Sequence, residues 1–273
     1  MSTRPPLTLI QASAADNARI LDFQASHRMA GTLALHFDRS PDYAALYRLH
    51  SPIHQTWLAQ EPDGEQEIKG IGSFVVRPGY LDGKVEPVAY LGDLRVLPGR
   101  RLSRQWNAAM RERLRANEQA FGVRYSYCCV IRDNLLARRA LLSGQRKDRM
   151  VLTPWRGYNN VSILARRPFA RPRSSSELRV RRAISADIDV LREFLDSQSR
   201  MQSFGGVFDA PTFAARLEQW PGFGIESFLL AVDSNGRICG CLAGWDASSV
   251  KRVVLEKLPP TLALLRHGFN ACA

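Results

Sequence analysis

Residues 90–122 read YLGDLRVLPGRRLSRQWNAAMRERLRANEQAFG, and this stretch decides the fold. It opens as an apolar strand, passes a short basic loop after Pro98, and continues as a long amphipathic helix. Leu102, Trp106, Met110, Leu114 and Phe121 recur near the helical period, with Asn117 the one polar entry on that face. Arg104, Arg111, Arg115 and Glu118 fall largely on the opposite side. Ser103 is the expected N-cap and Gly122 the expected stop. A strand that turns directly into a helix presents unpaired backbone N–H groups at the positive end of the helix dipole, an arrangement that suits a phosphate.

The rest of the chain sets the frame for this unit. At 273 residues, two domains are expected rather than one. Apolar content of 45% and charged content of 23% are those of a folded, water-soluble chain. The net charge of +12 favours anionic partners, and only five of its 38 cations are lysines: Lys69, Lys84, Lys147, Lys251 and Lys257. The N-terminus lacks the apolar core of a leader, and no apolar run nears the ~18 residues a membrane span needs. A cytoplasmic protein with no membrane partner is expected. Five cysteines, without C-x-x-C spacing, read as free thiols. His50 and His54 have metal-ligand spacing, but Pro52 between them breaks the helix that would align them, so no metal site is expected.

The sequence also repeats itself. LTLIQASAADNARILDF from Leu7 matches LRVRRAISADIDVLREF from Leu178 at an offset of 171, pairing Ala15 with Ala186, Asp16 with Asp187 and Phe23 with Phe194. At nearly the same spacing Ile68-Lys-Gly70 falls on Ile238-Cys-Gly240, each inside a hairpin marked by Asp-Gly or Asn-Gly. Two ordered matches imply a duplicated unit. The expected organisation is a complete first copy (1–165), a basic linker (166–177) rich in Pro, Arg and Ser, and a partial second copy (178–273). In the first copy, strands are expected at 7–12, 88–96, 125–131 and 150–165. Helices are expected at 16–27, 43–49, after the basic loop and from Asn134, giving an α+β fold around one mixed sheet. The second copy, ending in the proline-led stretch 258–273, is expected to lack the equivalent of the 88–122 unit. Its hairpin (228–245) would then need to pack on the first copy, pair with another chain through self-association, or belong to a longer parent, and proteolysis is expected within 166–177.

This order of elements resembles the GNAT superfamily of N-acetyltransferases, in its tandem-domain form with an incomplete second copy. The resemblance spans about residues 7–165. It rests on YLGDLRVLP, which is similar to that family's fourth strand and its closing proline, and on VIRDNLLARRALL, with Asn134 and Ala137 at the family's N-x-x-A spacing. It implies an acyl-CoA-dependent N-acyltransferase that moves an acetyl group from acetyl-CoA to a small-molecule or peptide amine by direct attack, without a covalent enzyme intermediate. By the same resemblance, pantetheine would lie along Leu94, Arg95 and Val96 where two strands splay. The pyrophosphate would rest at the following helix start, on Arg100, Arg101, Leu102, Ser103, Arg104 and Gln105, with Asn134 nearby.

Two departures from the pattern follow. The family's loop glycines fall here on Leu102, Arg104 or Trp106, so Arg100, Arg101 and Arg104 are expected to replace backbone contacts with charge-assisted bonds. The tyrosine that commonly protonates the leaving thiolate falls on Leu141. Tyr127 or Tyr125 on the fifth strand is the substitute, and Asp93 the candidate base. The alternative reading is a non-catalytic module of the same fold that binds CoA, nucleic acid or another polyanion; nucleic acid is disfavoured because the basic stretches lack interleaved aromatic residues.

Overall fold

The computed structural model describes residues 7–27, 34–62, 67–132, 134–142, 152–157 and 177–257. In the first part of the chain the elements run β1 (Thr8–Gln11), α1 (Asn17–Ser26), β2 (Ala34–Asp38), α2 (Ala45–His50), β3 (Ile53–Gln60), β4 (Gly70–Leu81), β5 (Lys84–Val96), α3 (Arg100–Phe121), β6 (Tyr125–Tyr127) and α4 (Leu135–Leu142). The second part adds β7 (Arg179–Arg182), α5 (Ile188–Arg200), β8 (Gly205–Gly206), α6 (Ala210–Gln219), β9 (Phe228–Val232), β10 (Ile238–Ala243) and β11 (Arg252–Lys257).

The fold is mixed α+β. The main sheet runs β1-β3-β4-β5-β6, antiparallel except for the parallel β5–β6 pair. Strand alternation gives it two buried faces. Ile71, Val75 and Leu58 pack against Ile20 and Phe23 of α1 and Tyr43 and Tyr47 of the α2 region. On the other face Trp57 and Ala59 meet Trp106 and Met110 of α3, and Phe74, Val76 and Ala89 meet Leu114 and Val123. The apolar stripe of α3 is thus its sheet-facing side. Asn117, its polar entry, donates to the Gln55 side chain at 2.8 Å. Gly70 and Gly72 are small because the Trp106 ring lies on them; a Cβ at Gly70 would come within 3.0 Å of it. Truncating a fully buried residue such as Leu58 is expected to cost roughly 2–5 kcal/mol.

Several expectations are corrected. β5 begins at Lys84 rather than residue 88, because Asp82 and Gly83 both take positive φ (49° and 74°) and close a two-residue hairpin from Leu81 to Lys84. α3 begins at Arg100: the Ser103 N–H already donates to Gly99 O at 2.9 Å, so Gly99 occupies the cap and Ser103 lies inside the first turn. The strand expected at 125–131 pairs only over Tyr125–Tyr127. Residues 152–157 form neither helix nor strand; the remainder of the expected strands at 150–165, all but residue 177 of the linker, and the stretch 258–273 lie outside the described residues.

The second part forms a sheet ordered β10-β9-β7, so the hairpin expected to lack neighbours has β7 along one edge. It packs on the first part through two strand pairings. β8 continues along β4 at Gly79 and Tyr80, beyond the point where β3 ends. β11 pairs with β2, a strand that sequence reading did not find, and Arg252 bridges to Asp38 across that pair. Side chains reinforce the seam: the Tyr80 hydroxyl donates to the Asp196 carboxylate at 2.7 Å, and Phe204 N–H donates to Tyr80 O at 2.7 Å.

Candidate functional site

The interruption in β5 organises the site. Between Ile71↔Arg95 and Ser73↔Gly92 the register shifts, so Gly72 faces both Asp93 and Leu94, and Asp93 adopts φ 50°. Such a bulge bends the strand away from its neighbour. On the other edge, parallel pairing with β6 ends at Tyr90↔Tyr127. Residues 91–96 are therefore not paired with residues 128–131, on the segment where the family resemblance implies a splay. Leu94, 39% exposed, stands on the open segment. Arg95 turns its side chain away to donate to Gln24 O at the end of α1 (3.0 Å), leaving only its backbone on the cleft.

Asp93 lies on the face covered by α1 and α2, nearly sealed from water. Its Oδ2 accepts from the Tyr43 hydroxyl at 2.9 Å and from the Tyr47 hydroxyl, and pairs with Arg39 Nη1 at 3.0 Å, off the line of a hydrogen bond. The Arg39 guanidinium in turn packs over both tyrosine rings, 5.2 and 4.6 Å from their centroids. Tyr43 also meets Ser73 Oγ at 2.9 Å, and Ser73 meets Thr56 at 2.9 Å. Burial and then the Asp93 charge push both phenols well above their ordinary range. Burial alone would lower Arg39, but Asp93 and the tyrosines outweigh it and keep the guanidinium charged. Gly92 is required beside this network, since a Cβ there would fall 2.8 Å from the Tyr47 hydroxyl. Sequence reading singled out Asp93 but missed Arg39, Tyr43 and Tyr47, which lie on other elements.

Beyond the bulge, Leu97 N–H donates to Lys69 O at 2.9 Å and the chain enters α3. Gly99 takes φ 152°, a conformation open to glycine, and the N–H groups of Arg100, Arg101 and Leu102 precede the first intrahelical bond. Arg100, Arg101, Ser103 and Arg104 have exposed side chains, with Gln105 and Leu102 half-buried. Arg104 Nε lies 3.4 Å from Arg100 O, laying its guanidinium along the first turn.

Tyr127 is the last paired residue before the strands part. Its hydroxyl accepts from Arg77 Nη2 at 3.1 Å, and its ring sits between Tyr90 (5.3 Å) and Phe204 of the second part (4.8 Å). Arg77 also donates to Phe204 O at 2.9 Å, and Trp155 covers Phe204 at 5.1 Å. Tyr125 is half exposed and stacks under Arg124, away from this group. Asn134 Oδ1 accepts from Ala137 N–H at 3.0 Å, capping α4, so its carbonyl is engaged by the helix. Leu141 lies on α4, whose Leu135 and Leu136 are exposed. Among the described residues no cluster of His, Cys, Asp or Glu has the makings of a metal site, and no helix is long and apolar enough to cross a membrane. Concavities of about 430 and 440 Å³ lie on the outer face of α3 and beside β9–β10, away from the parted strands.

No family model matches the chain, and no curated protein matches it. Solved structures do. An acetyltransferase of Trypanosoma brucei is 17% identical, with a TM-score of 0.35 over 54% of this chain and 99% of its own. An aminoglycoside 6'-N-acetyltransferase of Acinetobacter baumannii is 18% identical, with a TM-score of 0.37 over 57% and 99%. A ribosomal-protein-alanine N-acetyltransferase of Brucella melitensis is 11% identical, with a TM-score of 0.37 over 57% and 99%. At these scores no residue role passes from them to this chain.

Proposed function

We propose that the chain is a GNAT-type acyl-CoA-dependent N-acyltransferase, with acetyl-CoA as the donor. The observation that carries this reading is a conjunction: a bulged strand leaves its parallel neighbour unpaired beyond Tyr90 and runs straight into a glycine-capped helix whose first turn opens at Gly99. Pantetheine lies along the backbone of Leu94, Arg95 and Val96. The pyrophosphate sits on the N–H groups of Arg100, Arg101 and Leu102, with Arg100, Arg101 and Arg104 supplying charge, and with Ser103 and Gln105 at the rim. Gly99 opens the turn one step before the helix, which suits the close approach of an anion. Asn134 acts through α4, by fixing its start beside the parted strands.

The amine nitrogen attacks the thioester carbonyl carbon, a C–N bond forms, the C–S bond breaks, the CoA thiolate leaves, and the proton shed by the nitrogen passes to water, from which the proton donor is recharged. Tyr127 is the proposed proton donor to that thiolate. Arg77 already occupies a lone pair of its oxygen, so the phenolic proton is directed elsewhere. Asp93 is proposed as the anchor of the bulge rather than the base, because its Oδ2 already holds two tyrosines and an arginine. The same fact favours a second reading, a non-catalytic CoA-binding module, since among the described residues no uncommitted carboxylate stands at the bulge. Mixing the protein with acetyl-CoA and a panel of primary amines, and reading free thiol, separates the two. Thiol release that tracks amine concentration supports transfer. CoA binding without any release supports the module.

We propose further that residues 178–257 repeat the first part of the first unit. At an offset of 171, Thr8–Gln11 falls on Arg179–Arg182, Asn17 on Ile188 and Ala34 on Gly205, the first residues of corresponding strands and helices. Asp16 and Asp187 accept equivalent N–H groups, from Ser13 and Ile184. The pairings are reciprocal as well: β2 joins the second part and its counterpart β8 joins the first.

A further inference from the structure

Phe204 ends the turn between α5 and β8 with φ 63°, the left-handed region that glycine enters freely and a bulky side chain does not. Two glycines follow it directly, yet the left-handed step falls on the phenylalanine. A residue kept in such a conformation is fixed by its surroundings, and such residues gather at functional sites. Here the fixing comes from the first part of the chain. Phe204 N–H donates to Tyr80 O at 2.7 Å, its carbonyl accepts from Arg77 Nη2 at 2.9 Å, and β8 then pairs Gly205 with Tyr80 and Gly206 with Gly79.

The backbone held in this way delivers the Phe204 ring onto Tyr127. The two centroids lie 4.8 Å apart with the planes at 38°, and Trp155 backs the Phe204 ring edge-on at 5.1 Å. Tyr90 meets the Tyr127 ring at 5.3 Å, so the phenol is contacted by one ring from each part of the chain. The same residue also governs the phenol oxygen. Arg77 Nη2 is shared between the Phe204 carbonyl and the Tyr127 hydroxyl oxygen, 3.1 Å away, while Nη1 donates to Pro78 O at 3.2 Å. Among the described residues Arg77 pairs with no carboxylate, so its charge is not cancelled where it meets the phenol. A guanidinium against that oxygen stabilises the negative charge left there when the proton departs.

We propose that Phe204 is a positioning residue for Tyr127, so that the second part of the chain completes the proton-donating end of the site; this rests on the acyl-transfer reading. The ring fixes the plane of the phenol and the carbonyl fixes Arg77. As the C–S bond breaks, the Tyr127 O–H bond gives its proton to the sulfur and an S–H bond forms. The electron pair stays on the phenol oxygen against Arg77, and water returns a proton. Phe204 acts through these two side chains rather than on the thioester.

The test uses Phe204→Gly, which removes the ring, keeps the carbonyl and suits the φ of 63°, so the turn survives. With acetyl-CoA and the best amine of the panel, kcat for thiol release should fall about tenfold or more, while KM for acetyl-CoA and the CoA-induced rise in Tm stay unchanged. Phe204→Tyr should restore most of the rate. Tyr127→Phe should lose at least as much, and the double variant should lose no more than Tyr127→Phe alone, whereas independent damage would multiply. Wild-type kcat in Phe204→Gly, or multiplied losses in the double variant, overturns the proposal and leaves acyl transfer standing. No thiol release by the wild-type protein with any amine overturns the acyl-transfer reading itself, and the proposal with it. A second readout needs no turnover. By NMR of carbon-labelled tyrosine, with Tyr127 assigned through Tyr127→Phe, its ring should flip slowly in wild type and fast in Phe204→Gly. A ring that flips fast in both overturns the proposal.

Discussion

Replacing Asp93 by Ala removes the one carboxylate that, among the described residues, pairs with Arg39. The Arg39 side chain is 8% exposed and that of Asp93 10%, so the guanidinium is left charged and shut from water. Removing one partner of a buried ion pair costs about 3–5 kcal/mol. Two tyrosine hydroxyls also lose their acceptor, and Ala tolerates the φ of 50° poorly, so the upper end of that range is expected. Against a total stability of roughly 5–15 kcal/mol this is a large fraction. At about 2–4 °C per kcal/mol it lowers the melting temperature by roughly 10 °C or more. Asp93→Asn keeps an acceptor and accepts the left-handed backbone, and should fall between Ala and wild type. The assay is urea unfolding followed by fluorescence, repeated on Arg39→Ala and the double variant. The two single losses should exceed the double loss when summed, because the pair is coupled. An Asp93→Ala protein that unfolds at the wild-type urea concentration would refute the anchor role.

Three further outcomes are expected. Changing Arg100, Arg101 and Arg104 together to Ala should abolish the rise in melting temperature produced by CoA while leaving the unliganded melting temperature within a few degrees; an unchanged rise would mean the phosphates sit elsewhere. Burial, Arg216, Arg77, Arg39 and Lys251 hold His50 down to about 4 from an ordinary 6.5. Between those values the unfolded chain binds more protons, so stability should drop as pH falls from 6.5 toward 4, and His50→Gln should flatten that slope in pH-dependent unfolding. Gly205→Ala would bring a Cβ within 2.1 Å of Ser199 O, a backbone atom that cannot turn aside. It should loosen β8 from β4, read as faster amide exchange at Phe204 and Gly206, and wild-type exchange there would show the seam does not depend on it.

The helix face of α3 and the strand before it were legible because each carries a local period. The residues that touch the sheet are those the spacing selects, Trp106, Met110 and Leu114. The helix cap was misplaced by four residues, Ser103 for Gly99. A Ser ahead of an apolar run is a cap signal, but Gly99 closed the turn with its backbone, which composition does not announce. β2 and β11 went unseen because their partner strands lie 214 residues apart, as in the Asp38–Arg252 pair, and neither alternates strongly enough alone. The same distance hid the environment of Asp93. Its tyrosine partners lie 46 and 50 residues away, and only the folded sheet brings them beneath the bulge. The 171-residue offset carried further than any single motif, since it anticipated β7 and α5 before any pairing was visible.

The most direct measurement is backbone amide hydrogen exchange with and without saturating CoA. The account predicts that protection concentrates on residues 94–102, where β5 leaves its neighbour and α3 presents its first N–H groups. Protection confined to other segments, or none at CoA concentrations that raise the melting temperature, would contradict it.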